Sequence, residues 1–124
     1  MTSKRTKRLR DASIEARGEN MRWVERVLNE CSSGLEALSP AVTETMHIGP
    51  FSGEATNFSV WLIFATREAR EDSAGIKAFD EARRLVLSAL EASSYPAKAL
   101  ETFKFYSTSR EEIEEAGGHF AFFR

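Results

Sequence analysis

Residues 57–66 read Asn57-Phe58-Ser59-Val60-Trp61-Leu62-Ile63-Phe64-Ala65-Thr66, and this stretch decides the fold. β-Branched and aromatic side chains fill it with little polar interruption, so the pattern predicts a strand. A strand with one wet face alternates in polarity. A near-continuous apolar run needs cover on both faces, which places this strand in the middle of a sheet. Phe58, Trp61 and Phe64 accordingly read as core rings rather than as a ligand cage.

Upstream, Val42–Ile48 alternates, with Val42, Glu44, Met46 and Ile48 predicted on one face and Thr43, Thr45 and His47 on the other. That is a half-buried strand, close enough in sequence to pair antiparallel with the central one. The connection, Gly49 to Thr56, contains G-P-F-S-G and reads as a hairpin loop. It lacks the G-x-x-x-x-G-K-[ST] pattern of a phosphate loop and does not lead from a strand into a helix. Further upstream, Ile14, Met21, Val24, Leu28, Cys31, Leu35 and Leu38 recur at helical spacing, which predicts a first helix starting near Asp11 and ending between Gly34 and Leu38.

Downstream, Ala74–Ala92 returns to helical spacing with Ile76, Phe79, Ala82, Val86, Ala89 and Leu90 inward. A helix of about five turns is long enough to connect parallel strands. Thr102–Ser107 reads as a third strand, Phe103 and Phe105 facing one way and Lys104 and Tyr106 the other. Ser109 with Glu112 forms an S-x-x-E capping signal for a short helix that Gly117-Gly118 ends. His119–Arg124 then reads as a last strand. The expected fold is α+β, a two-layer sandwich in the order α-β-β-α-β-α-β, with a four-stranded mixed sheet and two main helices on one face.

A chain of 124 residues with 42% hydrophobic and 29% charged residues fits one globular domain. The expected division is a flexible basic arm at 1–10 and a single domain at 11–124. The single cysteine, Cys31, excludes an internal disulfide framework and a multi-cysteine zinc site, and its place on the helical stripe reads as a small buried hydrophobe. No run of 18 or more apolar residues occurs, and the basic start is not followed by an apolar signal region, so the chain reads as cytoplasmic with no membrane partner. Five of the 17 Lys and Arg residues fall within the first ten positions, which leaves the rest of the chain acidic by about seven charges. Net charge of this kind bears on partners rather than on fold.

Three groups of residues are candidates for function. Glu111, Glu112, Glu114 and Glu115 surround one isoleucine on the short C-terminal helix and would suit a basic protein partner. The helix dipole favours Glu111 and Glu112 in the first turn but gives nothing for Glu114 and Glu115 at the other end. The only two histidines, His47 and His119, would act as base and acid of a nuclease-like hydrolase if they converged. The arm Lys4–Arg10 would contact phosphates, although without interleaved aromatics it lacks stacking groups and the acidic body repels nucleic acid. No metal motif, nucleophile elbow or dinucleotide fingerprint appears, and no cofactor is implied.

The C-terminal stretch S-T-S-R-E-E-I-E-E-A-G-G-H-F-A-F-F-R, preceded by S-S-Y-P-A-K-A-L, resembles a group of small uncharacterised bacterial proteins. They share a helix closing in Tyr-Pro, then a serine, an acidic helix, a double glycine and an aromatic strand. The similarity spans Ala74 to Arg124, and its motifs are structural, so it carries over no catalytic residue. Size, acidic body and α/β layout also look like the immunity proteins of bacterial toxin systems. That likeness implies occlusion of a basic toxin domain by a charged surface. The expected function is therefore a non-enzymatic protein-binding domain, immunity- or antitoxin-like, with Glu111, Glu112, Glu114 and Glu115 as its contact residues. The alternatives are the histidine-dependent hydrolase and a homodimeric structural domain using a free sheet face or edge.

Overall fold

The computed structural model describes residues 4–49 and 59–123, with side-chain environments in the first stretch from residue 18 onward. Phe58 and all of the expected 49–56 loop beyond Gly49 lie outside the described residues. The fold is α+β: a three-stranded mixed sheet and six helices, in the order α1 (Lys4–Glu36), β1 (Val42–Ile48), β2 (Ser59–Phe64), α2 (Arg67–Glu71), α3 (Ser73–Ala92), α4 (Ala97–Leu100), β3 (Lys104–Ser109), α5 (Arg110–Glu115) and α6 (His119–Phe122).

β2 is central, as its apolar run requires. It pairs antiparallel with β1 and parallel with β3. Alternation divides its side chains between two faces. Val60, Leu62 and Phe64 join one core with Val24, Val27, Leu28, Cys31 and Leu35 of α1 and Ala78, Ala82, Val86 and Leu90 of α3. Trp61 and Ile63 point to the opposite face, where Ile63 is fully buried and the Trp61 ring meets Phe122 and Phe123 edge-on at 5.6 and 5.2 Å. Both main helices thus share one face, and the C-terminal segment covers part of the other.

α1 and α3 run antiparallel. At one end the Trp23 indole N–H donates to Ser93 Oγ at 3.0 Å and its ring abuts Tyr95 at 5.0 Å; further along, Gly34 lies against the side chain of Leu85. Burial of Tyr95 pushes its phenol up to about 12. Cys31 is buried in the same layer, and desolvation raises its thiol, so it is the small apolar residue its position suggested.

Several expectations are corrected. Among the described residues the sheet has three strands, not four, because His119–Phe122 is a helical turn. Gly117 and Gly118 adopt φ of 102° and 106°, conformations that L side chains rarely enter, and they redirect the chain so that two adjacent phenylalanines reach Trp61. A strand would have sent Phe122 and Phe123 to opposite faces. The order gains α2 and α4 as separate elements. In β1 a bulge between Val42 and Glu44 shifts the register, so Val42 shares the helical face with Thr45 and His47 while Glu44, Met46 and Ile48 face the other way. Thr43 anchors the bulge by donating from Oγ1 to the Ile63 carbonyl at 3.2 Å. In the helices, Met21 is 37% and Ile76 64% exposed, whereas Val27 and Ala78, which the sequence pattern passed over, are buried. α1 begins at Lys4, so the backbone of the basic segment from that residue is part of the helix.

The corner between α2 and α3 depends on one glycine. A Cβ at Gly75 would lie 1.9 Å from the Ala69 carbonyl oxygen and 2.7 Å from that of Arg70, both backbone atoms that cannot swing aside. Gly→Ala inside a helix ordinarily gains roughly 0.5–1 kcal/mol. Gly75→Ala is expected instead to destabilise by about 2 kcal/mol or more, in the range of overpacking, as measured by urea denaturation. A neutral or stabilised variant would refute the close approach.

Candidate functional site

Parallel pairing brings the carboxyl ends of β2 and β3 to the same end of the sheet, and each strand runs straight into a short helix there. Thr66 caps α2, its Oγ1 accepting from the Ala69 N–H at 3.1 Å; Ser109 caps α5, its Oγ accepting from the Glu112 N–H at 3.1 Å. The Glu111 N–H donates to the Ala65 carbonyl at 3.4 Å, tying the two starts together. The helices therefore lie side by side with their polar side chains facing.

Across that seam, Arg70 forks onto Glu112, Nε to Oε2 at 2.8 Å and Nη2 to Oε1 at 2.7 Å. Ser109 Oγ donates to the same carboxylate at 2.8 Å. Arg67 pairs with Glu115 and reaches Glu112 at 3.5 Å, and Arg70 also touches Glu71 at 3.1 Å. The Glu112 side chain retains 16% exposure. The Arg70 fork holds its carboxyl down from the usual 4.5 to about 2, against the opposing effect of burial and with help from Ser109. A second fork, from Arg110 to Glu44 with Nε to Oε2 at 2.9 Å, fastens the start of α5 to β1.

The four glutamates singled out from the sequence thus divide. Glu112 and Glu115 are held by arginines of α2, which accounts for a glutamate at the unfavourable end of α5. Glu111 and Glu114 are exposed and form no ion pair among the described residues. Glu111 instead joins Glu68, Glu71 and Asp72 around a shallow hollow of about 570 Å³, with Arg67 as its one basic wall. Sequence reasoning missed Arg67, Glu68, Arg70, Glu71 and Asp72. Their local signal was the run T-R-E-A-R-E-D from Thr66, a hydroxyl cap followed by alternating charges.

His47 and His119 do not meet. His47 shares the helical face with Val60, lines a hollow against Glu25, Leu28 and Asn29 of α1, and its Nδ1 lies 2.8 Å from the Gly49 carbonyl oxygen. His119 stands on α6, its ring 5.6 Å from that of Phe123, on the Trp61 side of the sheet. Among the described residues no group of three or more His, Cys, Asp and Glu is arranged to hold a metal, and no helix is long and apolar enough to cross a membrane. No family model matches the chain, and neither a curated protein nor a solved structure matches it.

The Glu112 carboxylate titrates below its ordinary value when folded, so it contributes stability above about 4.5 that is lost as pH falls toward about 2. Glu112→Gln is expected to destabilise the protein at neutral pH by roughly 1.5–3 kcal/mol, the range of charged hydrogen bonds. The difference should shrink steadily through that acid window. Parallel stability curves for the two proteins from neutral pH to about 2 would show that the fork contributes nothing.

Proposed function

We propose that this chain is a non-enzymatic protein-binding domain, immunity- or antitoxin-like in character, that neutralises a basic partner through the acidic end formed by α2 and α5. The observation that carries this reading is the convergence of Glu68, Glu71 and Asp72 from one segment with Glu111 from another, around a single open hollow. Capping and the helix dipole do not require that convergence. The local arginines are largely committed to Glu112 and Glu115, with Arg70 also touching Glu71, so Glu68, Asp72 and Glu111 face solvent with Arg67 as their one partial counter-charge.

A broad, shallow, acidic surface suits a basic protein face better than a small substrate, which is gripped in a concave and mostly apolar cleft. Such a surface acts mainly on association rate and on the choice of partner. Glu111 and Glu114 are the contact residues in this reading, while Glu112 holds the surface in shape and Glu115 is engaged by Arg67. The hydrolase alternative needs two imidazoles in one pocket, and His47 and His119 face away from each other across the sheet.

Affinity capture of partners from the native lysate, followed by binding kinetics with the recovered basic protein, tests the proposal. Glu111→Lys with Glu114→Lys is expected to slow association on the order of tenfold or more at low salt, with much less difference at high salt. Capture of a partner whose association rate is indifferent to both the double substitution and salt would remove the acidic end from the mechanism.

A further inference from the structure

The basic segment Lys4–Arg10 takes no part in the acidic end. Lys4, Arg5, Lys7, Arg8 and Arg10 lie in the first two turns of α1, whose first turn holds no acidic residue. Nothing in the physics of the helix favours them there. The positive end of the helix dipole disfavours cations in the first turn. Lys4 with Lys7, Lys4 with Arg8, Arg5 with Arg8 and Lys7 with Arg10 are like charges three or four residues apart, a spacing at which they repel. A polyanion laid along the segment relieves both costs.

The fold also takes this segment away from the carboxylates that would repel nucleic acid. Among the residues whose side-chain environments are described, those that α1 gives to the core begin at Trp23, which meets Ser93 and Tyr95 at the C-terminal end of α3. From Trp23 back to Arg10 the helix runs about 20 Å at 1.5 Å per residue, whereas the acidic hollow lies at the other end of α3. The end of the body that Trp23 meets is close to neutral, with exposed Glu91 and Glu101 set against exposed Lys98 and Lys104. With a screening length of about 8 Å at physiological ionic strength, the hollow leaves the basic segment free to bind an anion.

We propose that Lys4–Arg10 is a binding arm for double-stranded DNA, entering the major groove and held by the phosphates of both groove walls. The distribution of charge around the helix selects this partner. At about 100° per residue the five basic positions spread over about 220° of the circumference, with Thr6 and Leu9 on the remainder. A flat membrane or protein face engages less than half of a helix, and Leu9 alone supplies no apolar stripe for insertion into lipid. A groove engages both flanks, and the B-form major groove, about 12 Å wide, admits an α-helix. The A-form groove of duplex RNA is too narrow. A single strand would find no aromatic in the segment on which to stack. Contacts to phosphate position a protein without reading sequence, so binding is expected to be indifferent to base composition. This inference is independent of the function proposed for the acidic end.

Fluorescence anisotropy of a labelled B-form DNA duplex of mixed sequence, titrated with the full chain, tests the proposal. The expected Kd is on the order of 1–100 μM at physiological salt, the range of sequence-independent binding. It should weaken with a log–log salt slope of about −2.7 to −4.5, three to five phosphates at about −0.9 each. Lys4→Gln, Arg5→Gln, Lys7→Gln, Arg8→Gln and Arg10→Gln together should weaken binding by about tenfold or more at low salt and flatten the slope, with the near-ultraviolet circular dichroism of the folded domain retained. Absence of binding at low salt would overturn the proposal, as would binding that survives the five substitutions. Equal or tighter binding to poly-L-glutamate, or to phosphatidylserine vesicles, would also overturn it by making the partner an acidic protein or a membrane. Preference for an A-form RNA duplex would exclude the major groove of DNA.

Discussion

Burial of β2 on both faces is the constraint on which the rest of the structure depends. Val60, Leu62 and Phe64 need the paired stripes of α1 and α3 on one side. Trp61 and Ile63 need cover on the other, and the described chain supplies it from its C-terminal segment. A sheet of three strands with both faces apolar along its middle cannot stand alone in water. The two helices and the returning tail are therefore conditions of the sheet's existence rather than additions to it.

The acidic end follows from strand direction. A parallel β2–β3 pair delivers two chains outward at the same end, and the hydroxyl caps Thr66 and Ser109 turn both into helices at once. Two short helices side by side, each rich in charge, would repel if all their exposed groups were carboxylates. Arg67 and Arg70 prevent this. Their pairs differ in kind: the Arg70–Glu112 fork is partly buried and geometrically specific, whereas Arg67–Glu115 is about half exposed on both sides and contributes little to stability. The fork fixes how the helices sit, and the placement of Glu111 beside Glu68, Glu71 and Asp72 follows from it.

What was legible in the sequence was what local physics decides. The central strand, the α3 crossover, the Ser109 cap and the double-glycine stop each depend on residues within a few positions of one another, and each is present. What escaped reading depends on distant partners. The β1 bulge is set by pairing with β2, so a clean alternation from Val42 to Ile48 put Val42 on the face of Glu44, Met46 and Ile48, when it lies on the opposite one. The aromatic tail alternated like a strand, but Trp61 was already waiting on an uncovered face and could be met by two adjacent rings only from a helical turn. The acidic site was half legible for the same reason. The glutamates of α5 stood out, while the arginines that engage two of them lie 42 and 48 residues earlier and carry no local sign of that role.

The charge segregation seen in the sequence acquires a direction in the fold. α1 runs antiparallel to α3, so going back from Trp23 it leads past the C-terminal end of α3, whereas the acidic hollow sits at the N-terminal end of α3 beside Asp72. The 20 residues of α3 alone separate the two ends by about 30 Å at 1.5 Å per residue. The screening length at physiological ionic strength is about 8 Å. Charge at the far end of α3 is therefore largely screened from the acidic end. A net charge of −2 understates what an approaching partner meets there. For the partner binding proposed above, the quantity that would matter is the local excess of Glu68, Glu71, Asp72, Glu111 and Glu114 over Arg67.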